Sequence, residues 1–222
     1  MEFRHMPLFT LPNLKEGTFI DRPNRFVGII KYQSKIYQAH VHDPGRLTEL
    51  LVKGRKILFN DSRGKLDYYI RAVKIDEEWI LIDTVQHSKI ALYLFKNLPE
   101  FAHLNEIKKE VPVGKSRIDF LLDGVPLEVK GVTLVKDDLA LFPDAPTERG
   151  TRHVKEIIES KGKLMFLIFR NAKYFGPNHE TDPKFTHKLS EARSKGIQII
   201  TAKISFDGFR LYYEGKMPLF DF

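Results

Sequence analysis

One dipeptide constrains this chain more than any other: Asp123-Gly124, set between two runs of alternating apolar residues. Both residues tolerate positive φ, so together they make the two-residue turn of a β-hairpin. The turn fixes a register. Leu122 faces Val125, Leu121 faces Pro126, Phe120 faces Leu127, Asp119 faces Glu128 and Arg117 faces Lys130. Side chains alternate along a strand, so Arg117, Asp119, Glu128 and Lys130 share one face. Ile118, Phe120, Leu127 and Val129 share the other.

Two carboxylates are thereby set opposite each other, with Cβ atoms about 5 Å apart. At an effective dielectric near 20 such charges repel by about 3 kcal/mol. A divalent ion turns that repulsion into attraction, and hard carboxylate oxygens suit Mg²⁺ or Mn²⁺. Lys130 adds a cation able to orient a phosphate or to help deprotonate a water. Two acids, a lysine and a metal are the parts required for phosphodiester hydrolysis. A plainer alternative stays open: Arg117 and Lys130 can neutralise the acids on a solvated strand face. Leu121 and Pro126 on the same face make a fully wet surface less natural.

The rest of the chain divides near Asp83–Val85, although no Pro/Gly linker marks the place. Before it, strand patterns run over Thr18–Lys31, Lys35–Val41, Arg55–Asn60, Asp67–Lys74 and Trp79–Asp83. A short helix is expected from Asp43 to Leu51, with Asp43 as its cap and Pro44 in the first turn. Five strands and one short helix in about 70 residues suggest a small closed barrel of the OB type. After the boundary, helical spacing in 87–97 is followed by strands at Ile107–Val113, Arg117–Leu122 and Pro126–Val135. A helix at Thr147–Lys161, a strand at Lys163–Arg170, a helix near Pro183–Lys195 and a strand at Ile197–Ser205 complete the pattern. That order implies a mixed sheet covered by helices. The expected domains are residues 1–84 and 85–222.

Charge separates the same two regions. Residues 1–75 hold 14 Lys/Arg against 7 Asp/Glu, while residues 76–222 hold 22 of each. A basic N-terminal third suggests a polyanion-binding surface, although ordinary solubility charge reads the same way. The absence of cysteine excludes disulfide scaffolds, thiolate zinc sites and cysteine nucleophiles. No apolar run approaches the roughly 18 residues of a membrane span. The first residues lack the apolar core and cleavage site of a signal peptide. A cytoplasmic protein with no membrane partner is the expectation.

The runs SRIDFLL, LEVKGVTLV and ALFPDAPTERGTRHVKEI resemble the sugar fermentation stimulation protein A family, most specifically from Phe142 to His153. AHVHDPGRLTELL, at Ala39–Leu51, agrees more loosely. The resemblance implies an OB-like domain followed by a PD-(D/E)xK restriction-endonuclease-like domain, a mixed sheet with flanking helices. It also implies non-specific DNA binding, with a regulatory link to sugar (maltose) metabolism. By analogy with that nuclease superfamily, Asp119 and Glu128 hold the metal and Lys130 positions the attacking water. Many nucleases with this core dimerise, so a homodimer is compatible with it. Two departures stand out. The helix at 87–97 lacks the glutamate that many of these nucleases carry, and periodicity places neither Glu106 nor Glu110 well to substitute for it. Asp43 stands where the family pattern has asparagine.

Further candidates lie outside the hairpin. Thr147 opens a helix whose free amides and Arg149, Arg152 and His153 suit a phosphate, and the resemblance favours Arg149 and His153 in that role. Arg46, after Pro44-Gly45, is the candidate phosphate contact of the N-terminal region. His40 and His42 alternate on one strand face and read more readily as ordinary surface or core residues than as a metal pair. Tyr32, Tyr37, Tyr68 and Tyr69 are able to stack on bases where exposed. Three functions follow: a DNA-binding regulator, a Mg²⁺- or Mn²⁺-dependent DNA endonuclease, and a carbohydrate-binding module, which the basic N-terminal surplus disfavours.

Overall fold

The computed structural model describes residues 5–222. The chain forms two compact units: residues 5–86 with 204–214, and residues 87–203 with 215–222. The division falls beside Gln86, and a C-terminal segment returns to the first unit.

In the first unit, β1 (Met6–Thr10) precedes β2 (Lys15–Asn24), β3 (Val27–Tyr32), β4 (Lys35–His40), β5 (Lys56–Asp61), β6 (Tyr68–Ile75) and β7 (Glu78–Leu81). Strands β2 to β6 pair in the order β4-β3-β2-β5-β6, and a short parallel β4–β6 pairing closes them into a five-stranded barrel. β7 adds to β6. Phe19, Ile30, Ala39, Ile57, Phe59, Ile70 and Ala72 fill the interior. Closure removes the unpaired strand edges an open sheet would expose.

Two expectations for this unit are corrected. The run 18–31 is not one strand: it turns at Arg25-Phe26, where the Asn24 side chain accepts a hydrogen bond from the Phe26 amide (2.9 Å). Residues 43–51 form no helix. The Arg22 guanidinium takes the carbonyls of Asp43 (2.9 Å), Gly45 (2.9 Å) and Arg46 (2.5 Å). Those carbonyls are the ones a helix would pair with its own amides. Leu47 then adopts φ 50°, in the left-handed region that breaks a right-handed helix. Burial of Leu47 and Leu50 holds the loop in place instead.

The second unit opens with α1 (His87–Asn97) and continues through β8 (Ile107–Val113), β9 (Ser116–Leu122) and β10 (Val125–Val132). There follow β11 (Leu134–Lys136), β12 (Leu139–Phe142), α2 (Glu148–Glu159), β13 (Lys163–Ile168), β14 (Tyr174–Pro177), α3 (Pro183–Ser194) and β15 (Gln198–Phe206). The main sheet runs β15-β13-β10-β9-β8. β10 is parallel to β13 and β13 to β15, whereas β9 is antiparallel to both its neighbours. This is the expected mixed sheet with helices. Val154, Ile157, Phe185 and Leu189 of α2 and α3 pack with Leu164, Phe166 and Ile168 of β13 in one apolar core. The expected strand 126–135 ends at Val132, and β11, β12 and β14 form a separate small sheet. The last strand, β16 (Arg210–Gly215), pairs with β1. Sequence reading did not find β1, β12, β14 or β16. No helix among the described residues is long and apolar enough to cross a membrane.

Candidate active site on the acidic hairpin

The first three pairs of the hairpin register expected from Asp123-Gly124 are present, Val125 with Leu122, Pro126 with Leu121 and Leu127 with Phe120; the expected ladder pairs Asp119–Glu128 and Arg117–Lys130 do not follow them. Asp123 has φ 46° and Gly124 φ 85°, as this turn requires. Beyond Leu127 the ladder gives way to side-chain bonds. Asp119 Oδ2 accepts from the Val129 amide (2.7 Å), and the Asp119 amide lies 3.4 Å from Glu128 Oε2. The two acids therefore adjoin.

Their surroundings differ. Glu128 is only 2 % exposed, and its Oε1 accepts hydrogen bonds from Lys130 Nζ and His153 Nδ1. Burial raises the Glu128 carboxyl, but the bonds and charges of His153 and Lys130 outweigh that effect and leave it below its ordinary range. Asp119 has no such partners. Burial and the Glu128 charge push its carboxyl up to about 6, against the opposing Val129 amide and Lys130. Glu110 of β8 adds a smaller raising charge. The β8–β9 register sets Glu110 opposite Asp119, at φ 53°.

Helix α2 supplies the other side. Thr147 caps it by accepting from the Gly150 amide (3.0 Å), and Asp182 holds the Thr147 amide (2.8 Å). Capping fixes the first turn, which carries Arg149, and His153 follows one turn on along the same face at i, i+4 spacing. Arg149 Nε donates to His153 Nε2 (3.3 Å), so that nitrogen accepts and Nδ1 carries the proton given to Glu128. His153 is 2 % exposed with both ring nitrogens engaged. The phosphate contact expected of His153 is thus replaced by a buried role behind Glu128. Arg149 is exposed, and Arg152 Nε bonds Ser116 Oγ (3.2 Å) at the base of β9. Sequence reasoning brought Asp119, Glu128, Lys130, Arg149 and His153 to one neighbourhood but missed the Glu128–His153 bond. The i, i+4 spacing of Arg149 and His153 was its only local signal.

Arg46 belongs to the other unit, on the loop that Arg22 ties down, and is exposed. His40 and His42 are neighbours there, with ring centroids 6.0 Å apart. His42 Nδ1 lies 3.3 Å from Oδ1 of Asp83, which is fully buried and also holds Arg71 and Gln86. Burial raises the Asp83 carboxyl, but His42, Arg71 and Gln86 together bring it below its ordinary range. Among the described residues no group of three or more His, Asp or Glu side chains is arranged to hold a metal ion. Tyr69 has His40 stacked at 4.9 Å and Arg71 over its ring at 4.9 Å. Tyr32, Tyr37 and Tyr68 are half-buried, and Tyr32 and Tyr68 pack on the interior Phe59.

Comparisons with known proteins agree with this architecture. Residues 20–82 match the family model described as the SfsA N-terminal OB domain, and residues 84–208 match the sugar fermentation stimulation protein RE domain. A sugar fermentation stimulation protein homolog of Thermosipho melanesiensis is 38% identical, over 96% of this chain and 98% of its own. The homolog of Thermoplasma volcanium is 40% identical, over 92% of this chain and 94% of its own. The solved structure of Pyrococcus furiosus SfsA in complex with Ca²⁺ is similar with a TM-score of 0.90 and 29% identity. It covers 97% of this chain and 100% of that one.

Proposed function

This chain belongs to the sugar fermentation stimulation protein family, and on that premise we propose that it binds DNA through its phosphates at a nuclease-like core holding a divalent cation. One observation carries the reading: Asp119 and Glu128 adjoin with a single lysine between two carboxylates, an arrangement one positive charge short of balance. The donor chemistry fits a hard cation. Among the described residues, Asp119 Oδ1 accepts no hydrogen bond, and Glu128 Oε2 has only the long contact to the Asp119 amide. Asp119 and Glu128 would hold Mg²⁺ or Mn²⁺, which keep several waters and need only one or two carboxylates. The Ca²⁺ of the Pyrococcus furiosus relative is likewise an oxygen-seeking ion, which supports this reading. When bound, such an ion polarises a phosphoryl oxygen and acidifies a water. Lys130 and the exposed Arg149 supply the charge that attracts a phosphate, and His153 keeps Glu128 ionised and oriented. A cytoplasmic setting belongs to the same proposal, and a regulatory role in sugar metabolism rests on the family's name.

A second reading, phosphodiester hydrolysis, is favoured by Lys130, which lies beside both acids where an attacking water is positioned in nucleases of this architecture. One experiment separates the two. End-labelled linear, single-stranded and branched DNA is incubated with protein in EDTA, Mg²⁺ or Mn²⁺, alongside Glu128→Ala and Lys130→Ala. Retarded but intact DNA supports binding alone. Metal-dependent cleavage lost in both variants supports the nuclease. DNA that is neither retarded nor cut under any condition overturns both.

A further inference from the structure

The barrel carries exposed groups that the core site does not use. Arg25 and Phe26 form the two-residue turn between β2 and β3, and Phe26 is 60% exposed. Exposed arginine Arg46 stands on the 43–46 segment. One half-buried side chain, Arg22, ties both segments together. The Arg22 guanidinium donates to the carbonyls of Arg25 (2.7 Å), Asp43, Gly45 and Arg46. Further ties are the Val41 amide on the Phe26 carbonyl (2.9 Å) and the Asn24 side chain on the Phe26 amide (2.9 Å). Asp43 accepts from the Gly45 amide (2.8 Å), which turns this acid onto its own loop. Next in sequence, His42 is anchored by Asp83. The backbone that presents Arg25, Phe26 and Arg46 is therefore ordered before any ligand arrives, which reduces the entropy lost on binding.

Resting on the reading that this chain binds DNA, we propose that the Arg25-Phe26 turn and the Arg46 loop form a second site, on the barrel, for unpaired DNA. Phe26 stacks on a base, and Arg25 and Arg46 take the flanking phosphates. Charge complementarity identifies the occupant as a polyanion, since residues 1–75 carry the chain's basic surplus. The exposed aromatic identifies it as unpaired: a base offers its face to a side chain only when it is out of the duplex stack. The described residues of this unit include no α-helix, so the usual element for reading a major groove is absent from it.

The test uses the full chain in EDTA, so that the core site holds no divalent ion. Binding of fluorescein-labelled oligo-dT is followed by anisotropy, with unlabelled duplex of equal length as competitor. Phe26→Ala is expected to weaken oligo-dT binding roughly tenfold, the scale of one lost stacking contact, and Phe26→Trp to restore it. In Arg25→Ala/Arg46→Ala the slope of log K against log salt is expected to flatten by roughly 1.4, two single-strand phosphate contacts. All three residues are exposed, so unchanged thermal melts are expected to exclude unfolding as the cause. Equal affinity in wild type and Phe26→Ala, or duplex competing as well as single strand, overturns the barrel site. Metal-dependent retention or cleavage of duplex by the same preparations reads the core site separately, so either proposal fails without the other.

Discussion

Two buried carboxylates, one in each unit, are built alike and left in different states. Asp83 of the barrel and Glu128 of the mixed sheet are 0% and 2% exposed. Each faces the Nδ1 of a histidine and the cation of a basic side chain, His42 with Arg71 and His153 with Lys130. Both are held below the ordinary carboxylate range despite burial. The difference is the neighbour. Asp83 and Arg71 balance, one charge each, and the cluster is electrostatically complete. Glu128 shares Lys130 with Asp119, and burial together with the Glu128 charge raises the second acid to about 6. A balanced buried pair serves folding, whereas a surplus of buried negative charge is what a cation site requires.

The largest effect that would break this contrast is on stability. Asp83→Asn leaves Arg71, whose side chain is 14% exposed, beside a neutral amide, and is expected to lose about 3 kcal/mol in urea unfolding. Glu128→Gln relieves repulsion and leaves Lys130 to Asp119, so a loss below about 1 kcal/mol is expected. Equal losses would mean that the two clusters are not different in kind.

Acid should act on them with opposite sign. The Asp119 carboxyl is raised, so its unfavourable contribution is absent below the ordinary value of 3.8 and develops as pH climbs through about 6. Its shift corresponds to roughly 3 kcal/mol across that window. The Asp83 carboxyl is lowered, so its stabilisation is present above the ordinary range and is lost as pH falls through the lowered value. Unfolding in EDTA at pH 4.5 and pH 7 should show Asp119→Asn gaining on wild type at the higher pH. The same pH trend in both proteins would refute the assignment.

Divalent ions sharpen the comparison further. At a hundredfold excess over its dissociation constant, Mg²⁺ or Mn²⁺ is expected to stabilise wild type by about 2.7 kcal/mol. Thermal melts of Asp119→Asn should show little of that gain, and those of Asp83→Asn should keep it. The smallest expected effect concerns the cap of α2. Thr147→Ala removes the bond to the Gly150 amide and is expected to cost about 1 kcal/mol. Because Arg149 lies in the capped turn and His153 one turn further on the same face, the change should also weaken metal-dependent DNA retention. Retention at wild-type strength would show that the helix start does not position those two residues.

Much of the candidate site's strand pair was legible in the sequence, and little of what surrounds it was. A two-residue Asp-Gly turn sets a period-two register that holds as far as Leu127 and Phe120, which is enough to bring Asp119 and Glu128 side by side, although their contact is made by side-chain bonds and not by the ladder. The same local logic failed at residues 43–51. Asp43 and Pro44 are good helix starters, but Arg22, some twenty residues earlier, captures the carbonyls that the helix needed.

The sequence by itself determined the hairpin, its acidic face, the apolar pattern of a closed barrel beside a mixed sheet, and the basic surplus of the first third. Only the tertiary structure decided that His153 lies behind Glu128 rather than at the surface, and that Asp119 and Glu128 hold their protons differently. It also decided that Asp83 is buried among His42, Arg71 and Gln86. The physical reason is common to all of these. Periodicity and turn chemistry act between residues a few positions apart. The protonation and exposure of a carboxylate depend on which distant side chains folding brings against it.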